Sequence, residues 1–204
     1  MIGIVNYGLG NLSSVVNAFR FLKHEGVLLS RPEEFDQVSA LVLPGVGHFQ
    51  AGMNNLRAAG LEDALNHAVL EQGKPVLGIC LGMQLMCRSS MEAPGVAGLG
   101  WFGLDFVLLR SEELRTPNVG WNEVMQSAKD SRLLDGISRP TFYFVHSYCA
   151  EGEGSEVSSF IDADVKVAAT LEKGRIFATQ FHPEKSQQDG LKLLANFLEL
   201  VDHG

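Results

Sequence analysis

The sequence predicts an α/β fold: an open, twisted, mixed but mostly parallel sheet flanked by helices. Two observations carry this expectation. In the first half, short apolar runs alternate with segments of helical spacing, the rhythm of a parallel sheet covered on both faces. In the second half, strand patterns dominate and several are joined by short turns, which adds an antiparallel part.

The elements follow in order. Ile2–Tyr7 is a short apolar strand. Gly8-Leu9-Gly10-Asn11 is a turn, with Asn11 the expected helix N-cap. Leu12, Val15, Val16 and Phe19 keep helical spacing up to Gly26, the expected residue just past the helix end. Val27–Ser30 and Ala40–Leu43 are strands, the latter closed by Pro44-Gly45-Val46-Gly47. Leu61, Leu65 and Ala68, ending at Gly73, mark a helix, and Val76–Ile79 the next strand. Further on, Trp101–Arg110, Trp121–Gln126, Thr141–Cys149, Val165–Leu171 and Arg175–Phe181 read as strands. Glu172-Lys173-Gly174 is a hairpin signal, and Glu151–Ser155 a surface loop too short to link domains. Leu191, Leu194, Phe197, Leu198 and Val201 form a closing amphipathic helix. All 204 residues are expected to form one domain.

Composition narrows the function classes. Hydrophobic residues make up 46% and charged residues 20%, which excludes a disordered chain. The net charge is −8 and Lys and Arg are scattered, so neither nucleic acid nor an anionic membrane is an expected partner. Three cysteines give no disulfide framework and fit a reducing cytoplasm. The N-terminus lacks the pattern of a signal peptide, and no apolar run reaches the roughly 18–20 residues that cross a bilayer.

The chemistry centres on Gly78-Ile79-Cys80-Leu81-Gly82. An apolar run stops at a cysteine with glycine two residues away on each side, and a helical pattern follows. A sharp strand-to-helix turn crowds its backbone and favours residues without a Cβ at those flanks. The same arrangement with serine is the nucleophile elbow of hydrolases. A thiol there is presented at the sheet's end, and the helix dipole favours its thiolate form. The competing interpretation is a buried structural cysteine.

A cysteine nucleophile works with a base and a group that orients the base. Six histidines are available: His24, His48, His67, His146, His182 and His203. His182 ends the apolar run Ile176–Phe181, which puts it at the strand edge where α/β folds bind ligands and where Cys80 is expected. Pro183 biases it away from helix, and Glu184 stands two residues on. Pro44-Gly45-Val46-Gly47 reads either as an ordinary βα turn or as a loop aiming peptide N–H groups at an oxyanion. The Leu81 amide, just after the nucleophile, is the second expected donor. Gly8-Leu9-Gly10-Asn11 lacks the third glycine of a dinucleotide loop, and the cysteines lack metal-ligand spacing, so no cofactor and no metal is expected.

Two stretches resemble the signatures of class I glutamine amidotransferases: Gly78-Ile79-Cys80-Leu81-Gly82-Met83-Gln84 and Phe181-His182-Pro183-Glu184-Lys185-Ser186. Ile4–Leu12, Leu43–Gly47 with Phe49, Gly120-Trp121-Asn122 and Phe144–Tyr148 are similar to the glutaminase subunits of imidazole glycerol phosphate synthases. The resemblance covers essentially the whole chain. Asn118-Val119 departs from it, because histidine or methionine is more usual there, and Leu85–Met91 lacks the usual acidic stretch.

The resemblance implies a flavodoxin-like sheet and a catalytic triad of Cys80, His182 and Glu184. Cys80 would attack the glutamine side-chain amide and carry the glutamyl thioester. His182 would act as base and then as acid to ammonia, oriented by Glu184. Val46, Gly47 and Leu81 would form the oxyanion hole. Gln84 and Glu92 would hold the substrate, Glu92 facing its α-ammonium, with the backbone at Ser147 and Tyr148 on its α-carboxylate. The ammonia would pass to a (β/α)8-barrel synthase subunit in a heterodimer, yielding imidazole glycerol phosphate and AICAR in histidine biosynthesis. Tyr143 and Lys185 would lie near that interface. The alternatives are a related subunit serving another acceptor enzyme, a stand-alone cysteine hydrolase, and a non-catalytic regulatory domain.

Overall fold

A computed structural model describes residues 1–127, 130–151 and 154–202. In chain order the strands begin with β1 (Ile2–Val5), β2 (Gly26–Leu29), β3 (Ala40–Gly45), β4 (Val76–Cys80), β5 (Ser89–Ser90) and β6 (Asp105–Leu108). They continue with β7 (Asn118–Glu123), β8 (Met125–Gln126), β9 (Thr141–His146), β10 (Tyr148–Cys149), β11 (Val157–Asp162), β12 (Lys166–Lys173) and β13 (Ile176–Thr179). The helices are α1 (Leu12–Phe21), α2 (Phe49–Ala58), α3 (Leu61–Asn66), α4 (Leu81–Met86) and α5 (Gln187–Asp202).

Among the described residues the main sheet has the order β2-β1-β3-β4-β13-β12-β11-β8. The first five strands are parallel and the rest antiparallel, as expected. The central strands are apolar on both faces because both faces are covered. Side chains alternate accordingly. Val5, Leu41, Leu43 and Val76 pack toward α2, α3 and α4. Ile2, Ile4, Ala40, Val42, Leu77 and Ile79 pack toward α1 and α5. The carboxyl ends of β3, β4 and β13 therefore converge at one edge.

Several boundaries differ from expectation. Asn11 occupies the N-cap of α1, but its side chain makes no cap hydrogen bond. The helix also ends before Gly26. Lys23 adopts φ 62° while His24 N–H bonds Phe19 O and Lys23 N–H bonds Arg20 O, a Schellman end without glycine. Trp101-Phe102-Gly103 is not strand, although Trp101 and Phe102 are buried; only Asp105–Leu108 pairs. Trp121–Gln126 divides between β7 and β8, and Thr141–Cys149 between β9 and β10. β7 and β9 leave the main sheet and form a separate antiparallel ribbon, with Val119 opposite Val145 and Trp121 opposite Tyr143. Helix α2 and strand β11 were not expected. The β12–β13 hairpin is present, turning at Gly174 with φ 59°. Gly152 and Glu153 of the expected Glu151–Ser155 loop lie outside the described residues.

The turn from β4 to α4 is tight. Cys80 adopts φ 54° and ψ −105°, a region costly for a residue with a side chain. The glycine flanks have steric reasons. A Cβ on Gly82 would overlap the Leu43 carbonyl oxygen, and one on Gly78 would press on Met86 and the Gly82 backbone. Gly82→Ala is expected to lower stability by about 1–3 kcal/mol through overpacking against a fixed carbonyl. An unchanged urea midpoint for this variant would contradict the close approach.

Candidate active site

Where β3, β4 and β13 end, a cleft of about 260 Å³ is lined by Val46, Gly47, Cys80, Leu81, Gln84, Glu92, Pro117, Val145, His146, Ser147, Tyr148, His182 and Lys185. The strand pairing explains the convergence. Gly45 lies opposite Cys80 in β3–β4, and Thr179 opposite Ile79 in β13–β4. Three residues past Thr179 the chain delivers His182 beside Cys80.

The Cys80 sulfur lies 3.7 Å from the Val145 carbonyl oxygen and accepts from the Gln180 amide at 3.8 Å. His182 is 3% exposed, and its Nδ1 lies 2.9 Å from Glu184 Oε1. The Glu184 carboxylate is itself buried. Burial alone would drive the imidazolium proton off His182. The Cys80 sulfur and the Glu184 carboxylate oppose this and prevail, raising its pKa to about 9. The proton thus already sits on His182 at neutral pH, poised for a leaving amine.

The other two thiols are different. Burial pushes Cys87 well above its ordinary range, and burial with the Glu151 charge pushes Cys149 up to about 12. Both are fully buried. Neither lines the cleft.

The remaining expected residues, Tyr143 excepted, also reach the cleft. Gln84 is buried, and its amide nitrogen stands 3.5 Å from Gln180 Oε1. Glu92 accepts the Phe49 N–H at 2.7 Å, at the start of α2. Gly47 has φ 112°, and Val46 beside it is exposed. No acceptor among the described residues takes the N–H of Val46, Gly47 or Leu81, so three amides at the cleft wall are free for a ligand. Tyr143 stands on the ribbon, edge-on to Trp121 with 6.0 Å between ring centres, while Lys185 is on the cleft rim.

Of the other histidines, His48 accepts the Gln50 N–H at the start of α2, His67 pairs with Glu71 on the surface, and His24 follows α1. His203 lies outside the described residues. Among the described residues no group of three or more His, Cys, Asp or Glu is placed to hold a metal.

Two participants escaped the sequence reasoning. Gln180 bridges Gln84 and Cys80, but inside an apolar run it looked like a strand residue. His146 lies opposite Asn118 in the ribbon. Burial holds its pKa down to about 4, against the pull of its bond to Tyr148 O and with the help of His182. The neutral ring therefore donates from Nδ1 to the Tyr148 carbonyl at 3.0 Å and accepts at Nε2 from the Asn118 amide at 3.2 Å. It thereby locks the Ser147–Tyr148 backbone. The signal was the atypical Asn118, whose amide supplies the donor this tautomer needs.

Comparison with known proteins assigns the family. The profile of the family "Glutamine amidotransferase class-I" matches residues 4–201. The "Imidazole glycerol phosphate synthase subunit HisH" of Methanothermobacter thermautotrophicus is 42% identical over 98% of this chain and 99% of its own. The "Imidazole glycerol phosphate synthase subunit HisH 1" of Campylobacter jejuni subsp. jejuni is 43% identical over 98% and 100%. Among solved structures, a glutamine amidotransferase superposes with TM-score 0.78 at 19% identity over 98% of both chains. PurLQS from Thermotoga maritima gives 0.68 at 18% identity, again over 98% of both chains. These two likenesses speak to the fold alone. With a strained cysteine beside a buried His–Glu pair, a matching profile and full-length relatives, the chain belongs to the class-I glutamine amidotransferase family, within its imidazole glycerol phosphate synthase HisH branch.

Proposed function

We propose that the chain hydrolyses L-glutamine and delivers the ammonia to a barrel-shaped synthase subunit that builds imidazole glycerol phosphate and AICAR. The observation that carries this reading is one cleft holding Cys80 on a strained turn beside the His182–Glu184 pair.

The chemistry follows from the placements. Cys80, as the thiolate whose proton already sits on His182, attacks the side-chain amide carbon, and the developing oxyanion takes N–H bonds from Leu81 and the Val46–Gly47 segment. Collapse of the tetrahedral intermediate breaks the C–N bond, and the His182 imidazolium gives its proton to the departing ammonia. A thioester remains on Cys80. Water then attacks it with His182 as base, releasing glutamate. Glu184 keeps the imidazole oriented. Gln84 and Glu92 hold the substrate's amino-acid end together with the backbone of Ser147 and Tyr148.

A partner is supported by the surface around the cleft. Val46, Val119, Trp121 and Val145 are exposed, and the ribbon pairing puts the last three on neighbouring positions. An apolar rim of this kind is what a docking protein covers. Tyr143 and Lys185 border the same rim. We take the assembly to be a heterodimer in the cytoplasm, in keeping with three free thiols. Among the described residues no helix is long and apolar enough to cross a membrane.

Four outcomes are expected. Cys80→Ala should abolish ammonia release from glutamine. In the wild type, iodoacetamide should modify Cys80 well before Cys87 or Cys149; equal rates by peptide mass mapping would exclude a selectively reactive Cys80. The alkaline limb of kcat/KM should fall near pH 9, where His182 loses its proton, and Glu184→Gln should move that limb to lower pH. A limb near pH 6.5 in the wild type would mean that Cys80 and Glu184 do not hold the proton. Finally, the isolated chain should be weakly active and strongly stimulated by its synthase partner. A full rate without any partner would refute that coupling.

A further inference from the structure

The free amides of Val46 and Gly47 can stabilise an oxyanion only if their loop is held in the right plane, and the hold comes from a residue outside the cleft lining. Tyr7 follows β1 and is 4% exposed. Its hydroxyl donates to the Pro44 carbonyl at 2.8 Å. Its own carbonyl accepts from the Asn55 side chain at 3.0 Å, which ties it to α2. The hydroxyl fills the place of any side chain at position 45, because a Cβ on Gly45 would overlap it. Gly45 is also the residue opposite Cys80. Tyr7 thus fixes the last peptide of β3 directly against the nucleophile's strand end.

Beyond that peptide the restraint stops. A Cβ on Gly47 would meet nothing within 4 Å. The backbone is held again at Phe49, by Glu92. His48 is held as well, its carbonyl by the Gly52 N–H and its side chain by the Gln50 N–H, so the loop has two clamped ends and a short free span, Val46 and Gly47. With the Pro44–Gly45 plane fixed, rotation is confined to the peptides whose N–H groups border the cleft.

We propose that Tyr7 is a positioning residue for glutamine hydrolysis, holding the Pro44–Gly45 peptide so that the Val46–Gly47 amides face the Cys80 adduct. The inference rests on the glutaminase reading and adds a residue to it. The alternative is that Tyr7 merely fills the core and its hydroxyl takes the nearest carbonyl. The two differ in what the hydroxyl does for the reaction. A loop-positioning hydroxyl stabilises the transition state, so its loss lowers kcat and leaves KM in place. Alkylation by iodoacetamide forms no oxyanion and should not respond.

The test is Tyr7→Phe, which keeps the ring and removes only the hydroxyl. Glutamine turnover would be measured for the chain with and without the barrel synthase, alongside iodoacetamide labelling of Cys80. We expect kcat to fall by about 10-fold to 10²-fold, below the 10²–10³ typical of losing a donor outright. KM and the labelling rate should stay within about twofold, the margin that separates them from that fall. A kcat within twofold of wild type would overturn the proposal. So would a labelling rate that falls in step with kcat, because Tyr7 would then act on the thiol and not on the loop. If the wild type labels at Cys80 but releases no ammonia under either condition, the glutaminase reading fails and this inference with it.

Discussion

The site depends on the contact between the Gly82 Cα and the Leu43 carbonyl at the top of the sheet. This approach leaves no room for a side chain, and it draws the start of α4 down onto β3. The consequence is felt two residues earlier, where Cys80 must take φ 54° to connect strand and helix. Strain of this kind persists only where the surroundings over-determine it. Here they do: β4 is paired on both sides, by β3 and β13, and α4 is buried along its whole length. The same pairings bring Gly45 and His182 to the nucleophile. One steric constraint thus underlies the cleft-facing sulfur, the neighbouring loop and the adjacent base.

Two buried imidazoles share the cleft, and their surroundings send them in opposite directions. His182 has a carboxylate on one side and a sulfur on the other, and stays protonated. His146 has only a carbonyl and a neutral amide for partners, feels the positive charge of His182, and stays neutral. The pair divides the labour of acid–base chemistry and of scaffolding, as two like groups do when their environments push their pKa values apart. Asn118 suits this division. A third ionisable ring, at that position, would add another titration to the cleft.

Much of this was readable from the chain because it is local. The glycines at 78 and 82, the apolar run ending at His182 and the Glu184 beside it each declare themselves within a few residues. The parallel half of the sheet was legible for the same reason, since doubly covered strands are uniformly apolar. What escaped was either disguised or non-local. Helix α2 carries Gly52, Asn54 and Asn55, residues of poor helix propensity, yet Gly52 is needed where Leu85 packs close. Strand β11 is rich in serine because Ser158 and Ser159 bond across to Thr170 inside the sheet. The departure of β7 and β9 into a ribbon, and the roles of Gln180 and Tyr7, depend on pairings between distant segments that no window of sequence displays.

The isolation of Cys80 among the three thiols has a consequence for oxidative stress. Cys87 and Cys149 are sealed in the core, and neither lines the cleft. A peroxide that entered would meet a single sulfur. Its sulfenic acid would find no resolving thiol on the cleft wall, and further oxidation to the sulfinic acid would be irreversible for a protein of this kind. Recovery must then come from a small thiol able to enter from outside. Whatever seals the cleft against water during turnover also shields the sulfur from oxidant.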